Sequence, residues 1–129
     1  AFNICYEDGF GDELIATAKR STLLANISNM AWYGKSNAMY QQLQQSQARA
    51  MELGRYMVRA TNTGATAIIS PKGTIVAEAQ PDTEAVLEGH VKGYIGETPY
   101  MKAGGSTWLI SILAFIGVFL ILIGRKKPE

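Results

Sequence analysis

Short apolar runs alternate with polar, helix-forming stretches in the first part of the chain. Residues 1–5 (AFNIC) and 22–28 (TLLANIS) are apolar, and runs this short are typical of buried strands. Between them, residues 12–20 (DELIATAKR) consist of helix formers, with Asp12 placed to cap the helix and basic residues in its last turn. Residues 29–34 (NMAWYG) form a loop with two aromatic side chains. The pattern predicts a strand, a helix and a second strand.

A longer helix is predicted from about Asn37 to about Ala60. Its apolar residues recur at helical spacing and form one stripe that faces a sheet. The members of the stripe are Met39, Leu43, Ala50, Leu53 and Met57. The glutamines lie largely off the stripe and are predicted to be solvated: Gln41, Gln42, Gln44, Gln45 and Gln47. Glu52 is flanked by Arg49 and Arg55 at i−3 and i+3, which predicts exposed ion pairs in the scaffold.

The pattern changes to strands beyond Gly64. Residues 65–70 and 74–79 flank a Pro-Lys-Gly turn and predict a β-hairpin. Residues 84–91 (EAVLEGHV) predict a further strand, and residues 94–105 are rich in glycine and irregular. The resulting order is strand, helix, strand, helix, hairpin, strand. Such an order predicts an α/β fold with helices covering a sheet.

The last apolar run is long enough to cross a membrane. Residues 107–124 contain no charge, and as a helix they extend about 27 Å, close to the thickness of a bilayer core. Trp108 stands at one end, and Arg125, Lys126 and Lys127 follow at the other, which marks the cytoplasmic side. We therefore expect residues 1–104 to form a domain outside the cytoplasm and residues 105–129 to form a membrane helix with a basic tail. The alternative is a buried core helix.

Composition excludes several classes of protein. The chain has 129 residues, 47% of them hydrophobic, and a net charge of +1, which argues against disorder and against a basic nucleic-acid-binding protein. Its single cysteine excludes a disulfide framework and a multi-cysteine zinc site, and we expect no metal. The first residue is Ala1 rather than methionine, so the chain is expected to be processed or to be part of a longer protein.

The single cysteine is a candidate nucleophile. Cys5 ends an apolar strand, and a junction between a strand and a turn can project a side chain into a cleft. The neighbouring carboxylates of Glu7 and Asp8 disfavour a thiolate, so a base or cation must come from elsewhere. His90, the only histidine, has no visible orienting partner and is expected at the surface or in packing. On this pattern alone, a small buried hydrophobic residue is the other interpretation of Cys5.

Several segments resemble one known family. They are residues 3–7 (NICYE), 28–36 (SNMAWYGKS), 47–55 (QARAMELGR), 61–64 (TNTG), 70–73 (SPKG) and 98–100 (TPY). Together they resemble the apolipoprotein N-acyltransferase family, the membrane-bound branch of the nitrilase superfamily. The TPY segment before a final membrane helix is a feature of the acyltransferases and not of soluble nitrilases.

The resemblance implies a fold and a catalytic triad. The fold is the second half of a nitrilase-type αββα sandwich, followed by one C-terminal transmembrane helix. The triad is Glu–Lys–Cys, with Cys5 as the nucleophile and with the glutamate base and the lysine upstream of Ala1. Neither Glu7 nor Lys35 is assigned to those roles. The chain is then expected to be the C-terminal portion of a larger enzyme, inactive alone, with a sheet edge and apolar faces exposed.

The resemblance also implies a reaction that needs no cofactor. The Cys5 thiolate attacks an ester of a phospholipid, and the resulting thioester passes its acyl chain to the amine of the N-terminal diacylglyceryl cysteine of a lipoprotein. This places the protein in the bacterial inner membrane, with residues before the anchor in the periplasm and no nucleic-acid partner.

Further site residues follow from the same resemblance. The backbone N–H of Tyr6 is a predicted oxyanion donor, and Glu7 is a predicted supporting carboxylate. Trp32, Tyr33 and Asn29 are predicted to contact substrate. Each has a plainer alternative: packing for the aromatic residues, a solvated turn for Glu7 and a loop cap for Asn29.

Two other functions stay open at this point. One is a membrane-tethered, nitrilase-like amidase, which uses the same triad with water as the acceptor. The other is a non-catalytic anchored module that has lost the chemistry.

Overall fold

The computed structural model describes residues 1–34 and 36–124. Lys35 and the predicted basic tail, Arg125, Lys126 and Lys127, lie outside these ranges. The strands are β1 (Phe2–Ile4), β2 (Leu23–Ser28), β3 (Tyr56–Thr61), β4 (Ala67–Ile69) and β5 (Ile75–Glu78). The helices are α1 (Gly11–Ala18), α2 (Ala38–Leu53), α3 (Pro99–Ala103) and α4 (Gly105–Gly124). Short 3₁₀ turns cover Cys5–Gly9 and Ala31–Tyr33.

The five strands form one mixed sheet in the order β1-β2-β3-β4-β5. The first three strands are parallel, and β4 and β5 form the predicted antiparallel hairpin. The register places Asn3 beside Asn26 and Asn26 beside Arg59, so three polar residues form a row across the parallel strands. All three are buried. The predicted strand–helix–strand opening is therefore confirmed, and it carries an unexpected polar row.

The helices α1, α2 and α3 enclose a core on one face of the sheet. The buried apolar side chains there include Leu14, Leu24, Leu43, Leu53 and Met57. On the other face, Phe2, Ile4 and Ile27 are 75%, 65% and 54% exposed. Among the described residues, the exposed apolar face and the exposed edge strand β1 agree with the prediction from the family resemblance.

The predicted helix over residues 37–60 is wrong in its second half. The helix α2 ends at Leu53 because Gly54 takes a left-handed conformation (φ 61°), and its N–H bonds to the carbonyls of Ala50 and Met51. Residues 56–61 then form β3, in which Met57 is buried on the strand rather than on a helix. The apparent helical stripe is therefore interrupted at the glycine cap, and the residues after it alternate between buried and less buried positions, as in a strand.

Two predictions for the later part of the chain also need correction. Residues 84–91, all of them described, form no strand. Val86 is 87% exposed, so burial of its side chain contributes little free energy that would favour a strand here. Within the stretch predicted to be irregular, Pro99–Ala103 forms the short helix α3. Thr98 caps this helix by accepting the Met101 N–H, and Pro99 stands in its first turn, where a proline is tolerated.

Several charged and polar residues in α2 and directly after it are less exposed than predicted. Gln42 is buried rather than solvated. Arg55 is buried and donates to the carbonyls of Ser21 and Gly96 instead of pairing with Glu52. Arg49 does pair with Glu52, at 2.9 Å, but the pair is partly buried. These side chains have partners elsewhere in the fold, backbone carbonyls for Arg55 and other side chains for Gln42 and Arg49, which a helical wheel alone does not reveal.

The helix α4 has the length and composition of a membrane span. It has 20 residues, an 18-residue stretch within it has a mean hydropathy of 2.6, and among these described residues none is buried. Asp12, predicted to cap α1, instead accepts hydrogen bonds from the backbone of Gly105 and Ser106 at the start of α4. The N-cap position of α1 is Phe10, one residue before that helix begins.

Candidate active site

Cys5 is the first residue after β1 and adopts a backbone conformation that is rare for residues other than glycine. Its φ angle is 54°, in the left-handed region, and it opens the 3₁₀ turn Cys5–Gly9. A non-glycine residue in this region costs about 1–2 kcal/mol. Such an outlier persists only where its surroundings hold it in place, and outliers of this kind cluster at functional sites.

The half-buried Cys5 opens onto a cavity of about 180 Å³. The cavity is also lined by Tyr6, by Met30 and Tyr33 from the loop after β2, and by the first turns of α2, including Gln42. Of the sequence-predicted site residues, the structure therefore brings Cys5, Tyr6 and Tyr33 together. It provides a small, partly open space in front of the thiol.

The other two predicted contact residues lie elsewhere on the loop after β2. Trp32 is 86% exposed and does not line the cavity of the described residues. Asn29 accepts the N–H of Ala31 at 3.1 Å and the side-chain amide of Asn62 at 2.8 Å. Its contacts are those of a loop cap, the plainer alternative.

Tyr6 and Glu7 form the outer side of the turn. The Tyr6 ring is 66% exposed and stands edge-on to Phe10, with ring centroids 5.9 Å apart. The Glu7 carboxylate accepts the backbone N–H of Ile4 at 2.5 Å. Glu7 therefore closes the turn that carries Cys5, and the sequence pattern contained no sign of this contact.

A buried polar network lies beneath the turn, centred on Asp8. The Asp8 carboxylate accepts hydrogen bonds from the Asn3 side chain and from the Ser46 hydroxyl, and it pairs with Arg59 at 3.4 Å. Both charged side chains of that pair are fully buried. Burial raises the pKa of Asp8, although the hydrogen bonds and the charge of Arg59 oppose that shift.

Arg59 is the buried cation of this network. Its guanidinium donates to Gln42 at 2.7 Å, to Ser46 at 2.8 Å and to the carbonyl of Ala65 at 3.1 Å. Burial lowers the pKa of Arg59, whereas the charge of Asp8 opposes that shift. Arg59 is joined to the turn of Cys5 through Asp8, and the sequence pattern did not reveal it because residues 56–61 were predicted as helix.

Asn26 connects the network to the turn Cys5–Gly9. Its Nδ2 donates to the Cys5 carbonyl at 3.1 Å, and its Oδ1 accepts from Ser28 at 2.6 Å and from Arg59 at 3.4 Å. The inward-facing alternation of β2 was the one available signal for this residue, since Leu24, Asn26 and Ser28 are all buried. No local pattern in the sequence connects Asn26 with Cys5.

Two further features bear on the chemistry. Among residues 1–34 and 36–124, no group of three His, Cys, Asp or Glu side chains is placed to hold a metal ion, and His90 is exposed. A larger cavity of about 420 Å³ lies where α1 meets α3 and α4, lined by Asp12, Arg49 and Tyr100 among others. Cys5 does not line that second cavity.

Comparison with known proteins supports the predicted family. The family model of carbon-nitrogen hydrolases matches residues 1–100. The chain is 79% identical over 127 residues to an apolipoprotein N-acyltransferase of Neisseria meningitidis serogroup B, a match that covers 98% of the chain and 25% of the relative. It is 53% identical over 129 residues to the protein of that name from Chromobacterium violaceum, covering 100% of the chain and 25% of the relative.

The chain thus spans about a quarter of the length of these relatives. Among solved structures, a branch 10 member of the nitrilase superfamily from Saccharomyces cerevisiae matches with a TM-score of 0.53 and 20% identity, over 65% of the chain and 34% of that protein. This likeness concerns the fold, and it confirms the predicted nitrilase-type α/β architecture.

Proposed function

Because the chain belongs to the carbon-nitrogen hydrolase family, we propose that Cys5 is the nucleophile of an acyl-transfer reaction that modifies lipoproteins. One observation carries this proposal: the only cysteine stands in a left-handed conformation at the end of a strand and opens onto a cavity. The names of the relatives, apolipoprotein N-acyltransferase, support a lipoprotein as the acceptor.

The reaction has two steps that share one covalent intermediate. The glutamate base takes the proton of the Cys5 thiol, the thiolate attacks the carbonyl of a phospholipid ester, and the S–C bond forms. The C–O bond then breaks, and the glutamic acid returns the proton to the leaving oxygen to release the lysophospholipid. The α-amine of a diacylglyceryl cysteine then attacks the thioester carbonyl, the N–C bond forms, and the thiolate leaves as the amine loses its proton. Such a shared intermediate produces ping-pong kinetics.

The remaining triad members come from outside residues 1–129 in this proposal. We infer that the chain works within a protein of the relatives' length, whose preceding part supplies the glutamate base and the lysine. Residues 1–129 alone are then expected to be inactive. Arg59 does not replace the lysine, because its charge is already paired with Asp8.

The predicted site residues take specific roles around Cys5. The backbone N–H of Tyr6, next to the nucleophile, is the proposed oxyanion donor. Glu7 supports the turn through the Ile4 N–H. Tyr33, which lines the cavity, is the proposed substrate contact, and the exposed Trp32 and the loop residue Asn29 are proposed to border the path of the acyl chain.

The proposed location follows from α4. A helix of this length and hydropathy anchors the domain in a membrane, where both lipid substrates are held. Confining enzyme and substrates to one plane favours their encounter and orientation. We propose the bacterial inner membrane, with residues 1–104 in the periplasm and the tail after α4 in the cytoplasm.

The proposal is tested with the full-length protein in lipid vesicles. Wild-type protein is expected to acquire label from a phospholipid with a radioactive acyl chain, through a bond that hydroxylamine cleaves, and to pass it to a lipopeptide amine. Cys5→Ala is expected to abolish both steps without changing the melting temperature. Acyl transfer retained by Cys5→Ala would overturn the proposal.

Two controls separate the alternatives. Turnover of a soluble amide with water as the acceptor, without transfer of an acyl chain to the lipopeptide, would show an amidase. Absence of any covalent label on a folded full-length protein would show a non-catalytic module. Lys72→Ala, at the exposed turn between β4 and β5, serves as the variant expected to retain activity.

A further inference from the structure

We propose that Asn26 is a positioning residue that aims the oxyanion donor of the site. This inference rests on the proposed function, in which Cys5 is the nucleophile and the Tyr6 N–H stabilises the oxyanion. Asn26 is 1% exposed on β2, next to β1 and β3. Among the described residues, its side-chain amide makes one hydrogen bond to the turn Cys5–Gly9, to the carbonyl oxygen of Cys5.

The first step of the argument is the planarity of the peptide bond. The carbonyl of Cys5 and the N–H of Tyr6 belong to the same peptide unit, which is trans because the described residues contain no cis bond. In a trans unit these two groups lie in one plane and point in opposite directions. A hydrogen bond that fixes the Cys5 carbonyl therefore also fixes the direction of the Tyr6 N–H.

The second step is that the orientation of the Asn26 amide is determined by its other partners. Its Oδ1 faces the Ser28 hydroxyl at 2.6 Å and the guanidinium of Arg59 at 3.4 Å. An arginine carries only donors, so a flipped amide would place two donors against each other. Oδ1 must face Arg59, and Nδ2 is thereby left facing the Cys5 carbonyl.

The third step is that Arg59 itself is held firmly. Its guanidinium contacts Gln42, Ser46 and Asp8, which come from α2 and from the far end of the Cys5–Gly9 turn. The turn is therefore fixed at Asp8 by direct contacts and at Cys5 through Asn26. Two attachments, three residues apart, explain how Cys5 is kept in its left-handed conformation.

The test uses two reactions of Cys5 that differ in whether an oxyanion forms. Acylation by a phospholipid passes through a tetrahedral oxyanion, whereas alkylation by iodoacetamide occurs at a saturated carbon and forms none. In the full-length protein, Asn26→Leu is expected to slow thioester formation about 10- to 100-fold, up to the loss seen when an oxyanion donor is removed. The KM for phospholipid and the alkylation rate are expected to stay within about twofold of wild type, because the oxyanion exists only in the transition state.

A matched control has the same chemistry at another place. Gln47 also donates its side-chain amide to a backbone carbonyl, that of Gly73, at 2.7 Å. Gln47→Glu is expected to leave both reactions unchanged. If Asn26→Leu fails to fold, Ser28→Ala removes one of the two donors that orient Asn26, and a loss of about threefold in acylation is expected for a single hydrogen bond.

Two results would overturn the inference. One is acylation within twofold of wild type in the folded variants, and the other is an equal fall in acylation and alkylation, which indicates general disorder of the turn. A failure of the proposed function is distinguishable, since it shows as acyl transfer that does not depend on Cys5.

Discussion

The carboxylate of Asp12 accepts both the hydroxyl and the backbone N–H of Ser106, at 2.5 and 3.2 Å. Asp12 lies in the first turn of α1, shortly after the turn Cys5–Gly9, and Ser106 lies in the first turn of α4. The free N–H groups at a helix start favour a negative charge. A residue of the domain therefore completes the N-terminus of the candidate membrane helix.

Removal of this carboxylate should loosen the start of α4. Asp12→Ala is expected to cost about 1 kcal/mol locally, as for the loss of a helix cap. In the full-length protein this corresponds to roughly fivefold faster hydrogen exchange at the amides of Gly105 and Ser106. Glu13→Ala changes a neighbouring carboxylate that makes no hydrogen bond to α4 among the described residues, and it should leave exchange unchanged. Equal exchange in the two variants would contradict the assignment.

Tyr100 reports on the same contact at high pH. Burial, followed by its hydrogen bond to Asp12, raises the pKa of Tyr100 to about 12. A raised pKa means that the folded state favours the neutral phenol, so its stabilisation is complete below the ordinary value of 10.0 and is lost as the pH rises through about 12. The ultraviolet titration of tyrosinate should lose its component near pH 12 in Tyr100→Phe. It should keep that component in Tyr40→Phe, where the exposed ring has no contact with Asp12.

The ion pair between Asp8 and Arg59 should be costly to break from one side. Arg59→Met leaves the Asp8 carboxylate buried without a cation, which is expected to lower the free energy of unfolding by about 3–5 kcal/mol. The double variant Asp8→Asn/Arg59→Met should be less destabilised than the sum of the single changes. Denaturant unfolding of the full-length protein measures this cycle, and simple additivity would show that the two charges do not depend on each other.

Arg49→Met provides the comparison for that cycle. The pair of Arg49 and Glu52 retains partial exposure, with 13% and 30% of the two side chains accessible. Its loss should cost about 1 kcal/mol, since a partly solvated pair contributes less.

Substitution of Gly54 should destabilise the fold, because of its backbone conformation and a close neighbour that the sequence pattern does not show. Its φ is 61°, and an added Cβ would stand 2.8 Å from the Thr98 methyl group. Gly54→Ala is expected to lower stability by about 1–2 kcal/mol, measured by thermal unfolding. At Gly9 an added Cβ meets no atom within 4 Å, and its φ lies outside the left-handed region, so Gly9→Ala should be close to neutral.

The boundary at Gly54 shows how far the sequence predicts the fold. The elements β1, α1, β2 and the hairpin follow from local patterns, because short apolar runs and turn residues determine them. The strand β3 was missed because Leu53 and Met57 continue a helical spacing across the glycine. Residues 56–61 form a strand because they pair with β2 and β4. These partners are distant in sequence or form only in the folded sheet, so a local pattern does not reveal them.

The candidate site was predictable only in part for the same reason. Cys5, Tyr6 and Tyr33 stand in recognisable segments, and the structure places them around one cavity. Asp8, Asn26 and Arg59 come from three separate elements and meet only in the folded chain. Arginine side chains are usually exposed, so Arg59 was not expected to lie in a buried network.

The left-handed conformation of Cys5 has a consequence for how this position can vary. Glycine adopts φ 54° without the penalty that a side chain incurs, so a search for greater stability alone would select glycine at position 5. A cysteine at this position therefore costs stability, and variants selected only for heat resistance should tend to lose the thiol. Under the proposed function, stability and chemistry conflict at this one residue, and engineering that raises the melting temperature must leave it untouched.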